Sequence, residues 1–175
     1  MIVKIISIIL RNTYTTDDLM DRLGLMRRYY EAILFKKNDA EPEVRSIKDF
    51  FAHEREEYTL DVLEQWFASF QKSEIAPLVV YEGLDAIEED ISGLPTVALY
   101  VPVRFSHEHT ERFGEWFRKN VQPNILLSLR IDSRVTGGCG LVWKDTYHDL
   151  SLRYYLNKNR AELLEVYDKY THVES

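Results

Sequence analysis

The chain has 175 residues, enough for one domain or two small ones, with a core that removes about 70% of the unfolded surface from water. Its 45% hydrophobic, 29% charged and 13% aromatic residues exclude a disordered tail, a collagen-like chain and a low-complexity linker. The 22 Lys+Arg against 29 Asp+Glu give a net charge of −7, which disfavours a mainly electrostatic nucleic-acid binder, and the single Cys139 excludes an internal disulfide framework or a multi-cysteine metal site.

Met1 to Leu10 is apolar apart from Lys4 and Ser7. It is too short for a membrane span, which needs about 20 apolar residues, and no small-residue cleavage site follows it. A buried first helix is expected, with a short strand as the competing reading because Ile and Val favour strands. Thr16 is expected to cap a second helix with Asp17 and Asp18 in its first turn, and Leu19, Leu23, Met26, Tyr30, Ile33 and Leu34 on one face. Asn38-Asp39 and Pro42 break the pattern. Ile47, Phe50 and Phe51 mark a short helix. Thr59 is read as the cap of another, with Leu60, Leu63, Trp66, Phe67 and Phe70 inward. Pro77 suits the first turn of a helix carrying Val80, Leu84, Ile87 and Ile91, which Gly93 and Pro95 stop.

The period changes at Thr96. Val97 to Phe105 alternates as a strand, and Pro102, which has no N–H to give a ladder, puts that strand at an edge or that position facing outward. Ser106 is expected to cap a helix with Phe113, Trp116, Phe117 and Val121 inward. A second strand alternates through Ile125, Leu127, Leu129 and Ile131. Gly137-Gly138 reads as a turn, Gly140 to Trp143 as a third strand, and Lys144-Asp145-Thr146 as another turn. One last helix runs from about Ser151 with Leu152, Tyr155, Leu156, Leu163, Leu164, Tyr167 and Tyr170. The expected architecture is α+β: a helical bundle over residues 1–94, then a small β-α-β-β-α domain over residues 95–175. There is no internal repeat or low-complexity segment. The acidic run from Glu82 to Asp90 reads as a solvated helix face, or as a docking patch for a basic partner.

The phosphate-binding loops G-x-x-x-x-G-K-[ST] and G-x-G-x-x-G are absent, as is the serine elbow G-x-S-x-G. His53 and Glu57 could share a helix face, but two ligands are too few for a metal. His107 and His109 are two apart on a helix and point to different faces. His148 beside Asp149 resembles half a catalytic pair, though adjacent residues seldom face each other. Cys139 between glycines would need a nearby base and a lowered pKa to act as a nucleophile. The aromatic clusters at Trp66 and Trp116 have the spacing of core faces, not of base-stacking platforms. No catalytic residue, cofactor site or metal site is expected.

Residues 132 to 156 carry a resemblance. Asp132 closes a strand, Gly137-Gly138 follow, and an apolar strand leads to a polar turn. Asp149-x-Ser151 then opens a helix with Arg153 and Leu156. This register resembles the C-terminal signature of the delta subunit of F-type ATP synthases, the family of the mitochondrial oligomycin-sensitivity-conferring protein. The order of elements matches over nearly the whole chain, while the specific motif covers its last quarter. The helical half is shorter than is usual in that family and lacks its Tyr-Ala-x-Ala-Leu opening.

The resemblance implies a non-catalytic stator subunit that links the catalytic head to the peripheral stalk. The helical half would hold α-subunit N-termini, and the C-terminal half would bind the C-terminal ends of the b subunits. Ile6, Leu10, Val80, Leu84, Leu163 and Tyr167 would be partner-binding. It further implies a monomer within a hetero-oligomeric complex, with no nucleic acid and no direct membrane insertion. Its place would be peripheral, on the cytoplasmic face of a bacterial plasma membrane or on the matrix or stromal side of an organelle. The alternatives are a protein like the E-type stalk component of the A/V-type ATPases, a generic helical adaptor, and an enzyme using Cys139 or His148.

Overall fold

The computed structural model describes residues 2–35, 46–51, 54–89 and 93–171. Within them the chain is α+β, and it divides into two compact units: Met1–Pro95 with Thr110–Leu126, and Thr96–His109 with Leu127–Ser175.

The first unit is helical. The apolar start forms α1 (Ile2–Ile9), with Ile5, Ile8 and Ile9 buried, so the helix reading of this run holds and the strand does not. α2 (Thr16–Leu34) is capped one residue earlier than expected, by Thr15 and not Thr16. The Thr15 Oγ1 accepts the Asp18 N–H at 3.0 Å, and Thr16 is already helical. α3 (Ile47–Phe50) is capped by Ser46, whose Oγ accepts the Asp49 N–H. α4 (Glu57–Lys72) starts at Glu56 without a side-chain cap, so Thr59 lies inside the first turn and is no cap. α5 (Pro77–Glu89) opens on Pro77, which needs no N–H partner there. The core is one cluster that includes Ile9, Leu23, Met26, Leu63, Trp66 and Leu84. Asn38-Asp39, Pro42, His53, Asp90 and Ile91 lie outside the described residues.

Gly24 sits in the middle of α2, and a Cβ there would meet nothing within 4 Å. Glycine in a helix interior is less favourable than alanine by about 0.5–1 kcal/mol. Gly24→Ala is therefore expected to stabilise the chain by that amount, read as a higher urea midpoint at unchanged slope. A destabilised variant would contradict the open space seen beside Gly24.

The second unit is a four-stranded sheet, in the order β2-β1-β3-β4, followed by two helices. β1 (Thr96–Val101) buries Val97, Leu99 and Val101, but it ends before Pro102, and Val103 is exposed. The strand is thus shorter than its alternation, and it is interior, not an edge. Pro102 is tolerated because it lies past the last residue that must give an N–H. β2 (Leu126–Ile131) runs beside β1 in the same direction, with the Asp132 N–H donating to the Val101 carbonyl at 2.9 Å. β3 (Gly138–Trp143) pairs antiparallel with β1 through Leu99 and Leu141, and with β4 (Thr146–Ser151) over six residue pairs from Gly138↔Ser151 to Trp143↔Thr146. This fourth strand was not expected. α7 (Leu152–Lys158) and α8 (Arg160–Thr171) replace the single last helix.

Between β1 and β2 lies α6 (His107–Asn120), capped as expected by Ser106, whose Oγ accepts the His109 N–H. From Thr110 onward it belongs to the first unit, so the helical unit reclaims a segment beyond the expected boundary at 94/95. Of its expected inner face only Phe117 is buried. Thr110, Gly114 and Phe117 are buried, while Phe113, Trp116 and Val121 are exposed. Spacings of four and three join Thr110, Gly114 and Phe117. A Cβ at Gly114 would overlap the Tyr14 ring, so only glycine lets that ring lie on the helix.

Candidate functional site

Four of the motif residues, Gly137, Gly138, Asp149 and Ser151, meet at one strand–helix junction. Gly138 has φ +76°, a left-handed conformation, and pairs with Ser151 across the β3–β4 hairpin. The turn between the strands is Lys144-Asp145, both also left-handed (φ 49° and 60°), as a two-residue hairpin turn requires. At the far end of β4 the Asp149 carboxylate accepts the Ser151 N–H at 2.9 Å, and the Ser151 Oγ accepts the Tyr154 N–H at 3.2 Å, capping α7. The Leu152 N–H, another orphan of the first helical turn, donates to the Gly137 carbonyl at 2.8 Å. Gly137, Gly138, Asp149 and Ser151 thus tie the start of α7 to the base of the hairpin. The bonds from Ser151, with Arg153 nearby, hold the Asp149 carboxyl below its ordinary range.

Asp132 does a parallel task after β2. Its carboxylate takes the Arg134 backbone N–H, Nε and Nη2 at 2.8–3.0 Å, which lowers its pKa to about 2. Arg153 and Leu156 lie exposed on α7.

The expected partner residues fall into two groups. Leu10, Val80 and Leu84 are core residues of the first unit and present no surface, and Ile6 is partly buried against the same core. A helical period marks an apolar face, and here the chain itself covers that face. Leu163 and Tyr167 are exposed on α8. They are joined by Leu152, Tyr155, Leu156, Leu164, Val166 and Tyr170. None of the described side chains of α7 and α8 is buried. Isolated exposed leucines are ordinary; this many exposed apolar side chains on two successive helices are not.

The catalytic candidates do not assemble. Cys139 and His148 share one face of the hairpin, opposite Leu150 and Leu141, but burial pushes the Cys139 thiol up, away from thiolate. His148 and Asp149 are successive strand residues and point to opposite faces. His53 is outside the described residues, so the His53–Glu57 pairing is not visible. His109 Nδ1 lies 2.6 Å from the Ser106 Oγ within the cap of α6. Among the described residues no group of three His, Cys, Asp or Glu side chains could hold a metal ion. An open cleft of about 440 Å³ on the first unit is lined by Met20, Gly24, Arg27, Arg28, Arg55 and others. Its arginines are ion-paired: Arg27 with Asp85 and Glu88, Arg28 with Glu54, Arg55 with Asp21. The cleft is charge-balanced and offers no anion site.

No helix among the described residues is long and apolar enough to cross a membrane. No protein-family model matches the chain, and no curated protein matches it.

Proposed function

We propose that the chain is a delta-type, non-catalytic stator subunit of a proton-translocating F-type ATP synthase, joining the catalytic head to the peripheral stalk. The observation that carries this reading is the junction from Gly137 to Leu156. Each motif residue before the helix has a local task there, and the helix it launches keeps its apolar side chains exposed. A stator joint must resist rotor torque so that catalytic sites change conformation instead of turning with the shaft. It needs stiff attachment and partner surfaces, not acid–base groups. A rigid hairpin tied to an uncovered helix supplies both.

In this reading α7 and α8 receive the C-terminal ends of the b subunits, and the helical unit holds α-subunit N-termini. The protein sits peripherally on the cytoplasmic face of a bacterial plasma membrane, or on the matrix or stromal side of an organelle. It is a monomer within the hetero-oligomer. Full-length chain co-expressed with the α and b subunits of its own source is expected to co-purify with both, and the chain alone to neither bind nor hydrolyse ATP. Recovery free of both subunits would leave a generic helical adaptor as the better account. Saturable micromolar ATP binding would overturn the non-catalytic role.

A further inference from the structure

α6 turns two of its aromatic side chains to solvent. Phe113 is 40% and Trp116 56% exposed, while Thr110, Gly114 and Phe117 are buried on the opposite side. Residues three apart are neighbours on a helix surface, so the two rings form one patch. Aromatic side chains, tryptophan above all, are enriched at the centres of protein interfaces.

The residues around this patch say what covers it. Counted outward in both directions from the level of Gly114, Phe113 is matched by Trp116 and Arg112 by Glu115. Further out, His109 is matched by Asn120 and Glu108 by Lys119. All eight are exposed. Each match is also a chemical one: ring with ring, cation with carboxylate, imidazole with amide. A second α6 running antiparallel, related by a two-fold axis at the level of Gly114, brings every residue to its match twice over. The polar atoms suit this arrangement. The Ser106 Oγ lies 2.6 Å from the His109 Nδ1, which leaves Nε2 for the other copy, and Asn120 gives Nδ2 to the Trp116 carbonyl at 2.7 Å but keeps its Oδ1. Within one copy, Glu108 and Arg112 stand four apart, as do Glu115 and Lys119, yet neither pair is closed. None of these four side chains forms an ion pair among the described residues.

We infer that the free chain forms an isologous dimer through α6, with the two helices antiparallel, Phe113 of each copy against Trp116 of the other, and Arg112 facing Glu115. A helix of 14 residues per copy makes a small contact. It falls short of the about 1,200–2,000 Å² that stable complexes bury, so the pairing is weak and reversible. It stands apart from the stator reading, since such a dimer dissociates to supply the single copy that reading places in each complex.

The test is sedimentation equilibrium of the full-length chain. A monomer–dimer equilibrium is expected, with a dissociation constant of about 10–100 µM. Trp116→Glu should weaken it at least about tenfold, with an unchanged thermal melt by circular dichroism because Trp116 lies outside the core. Arg112→Glu and Glu115→Lys each set like charges together and should each weaken it at least about fivefold. An equimolar mixture of these two variants restores both ion pairs and should associate at least as tightly as the native chain, a rescue that misfolded variants would not show. A native chain that stays monomeric throughout, a dimer indifferent to Trp116→Glu, association beyond two copies, or a mixture that pairs no better than either variant alone would each overturn the inference. None of these results bears on co-purification with α and b subunits, by which the stator reading stands or falls.

Discussion

Gly138→Val is expected to lower the stability of the C-terminal unit by about 3 kcal/mol, combining a strained backbone site with a steric overlap. Two independent facts lead there. The φ of +76° at Gly138 is one that β-branched residues scarcely adopt. A Cβ would also overlap the Leu150 carbonyl oxygen and stand 3.1 Å from the Ser151 Cα, and both neighbours are backbone that cannot rotate aside. The damage should spread along a defined path. Gly138 pairs with Ser151, and Ser151 caps α7. Displacing one frees the Tyr154 and Leu152 N–H groups together. Backbone amide resonances of residues 138–156 should therefore lose dispersion, while those around Trp66 keep native shifts. Gly137→Ala is the comparison. Its φ is not left-handed, and its Cβ would meet only the Leu152 side chain at 3.3 Å and beyond, so its effect should be smaller. A Gly138→Val chain that melts like the native one would show that the hairpin base is not a rigid element.

Much of the fold was legible because its helices and first strand have strong periods. α2, α4, α5 and β1 fall where their apolar spacing puts them, and α1 resolves as a helix. Caps shifted, from Thr16 to Thr15 and from Thr59 to Glu56, because several nearby polar residues suit a helix start and only geometry selects among them. β4 was hidden because Tyr147-His148-Asp149-Leu150 has no buried face to mark and its turn is Lys144-Asp145, not an Asn-Gly pair. In α6 an apolar count centres the inner face on Phe113 and Trp116, whereas the buried face runs through Thr110, Gly114 and the expected Phe117, the Tyr14 ring leaving room only for glycine at 114. The site splits the same way. The motif from Asp132 to Leu156 stands out as an ordered string of residue types. Periodicity cannot tell a face covered by the chain's own core, as at Val80 and Leu84, from one left for a partner, as at Leu163 and Tyr167.

Arg118→Leu should destabilise the helical unit by about 3 kcal/mol, the cost of stranding several buried carbonyls at once. α1 and the short 3₁₀ turn Leu10–Asn12 after it end in carbonyls that no helical N–H can reach. Two arginines from elsewhere in the sequence supply the donors. Arg22 of α2 gives Nη1 to the Asn12 carbonyl at 2.7 Å and to the Thr13 Oγ1 at 2.9 Å. Arg118 of α6 gives Nη1 to the Leu10 carbonyl, Nη2 to the Thr13 carbonyl and Nε to the Ile125 carbonyl, with its guanidinium 4.6 Å from the centre of the Tyr14 ring. Burial pulls the Arg118 pKa down, yet the carbonyls at the negative end of a helix and the face of a tyrosine favour the cation. Arg118→Lys should recover only part of the loss, because a single ammonium cannot span three carbonyls as a planar fork does. The same contacts decide the fate of fragments. A chain ending at Pro95 lacks Phe117 and Arg118 together, so it should lose more stability than Arg118→Leu does in the full chain. Urea unfolding followed by circular dichroism ranks the four proteins. If the 1–95 fragment matched the native chain in stability, α6 would be a bystander to the bundle, and the boundary near Pro95 would be a true domain border.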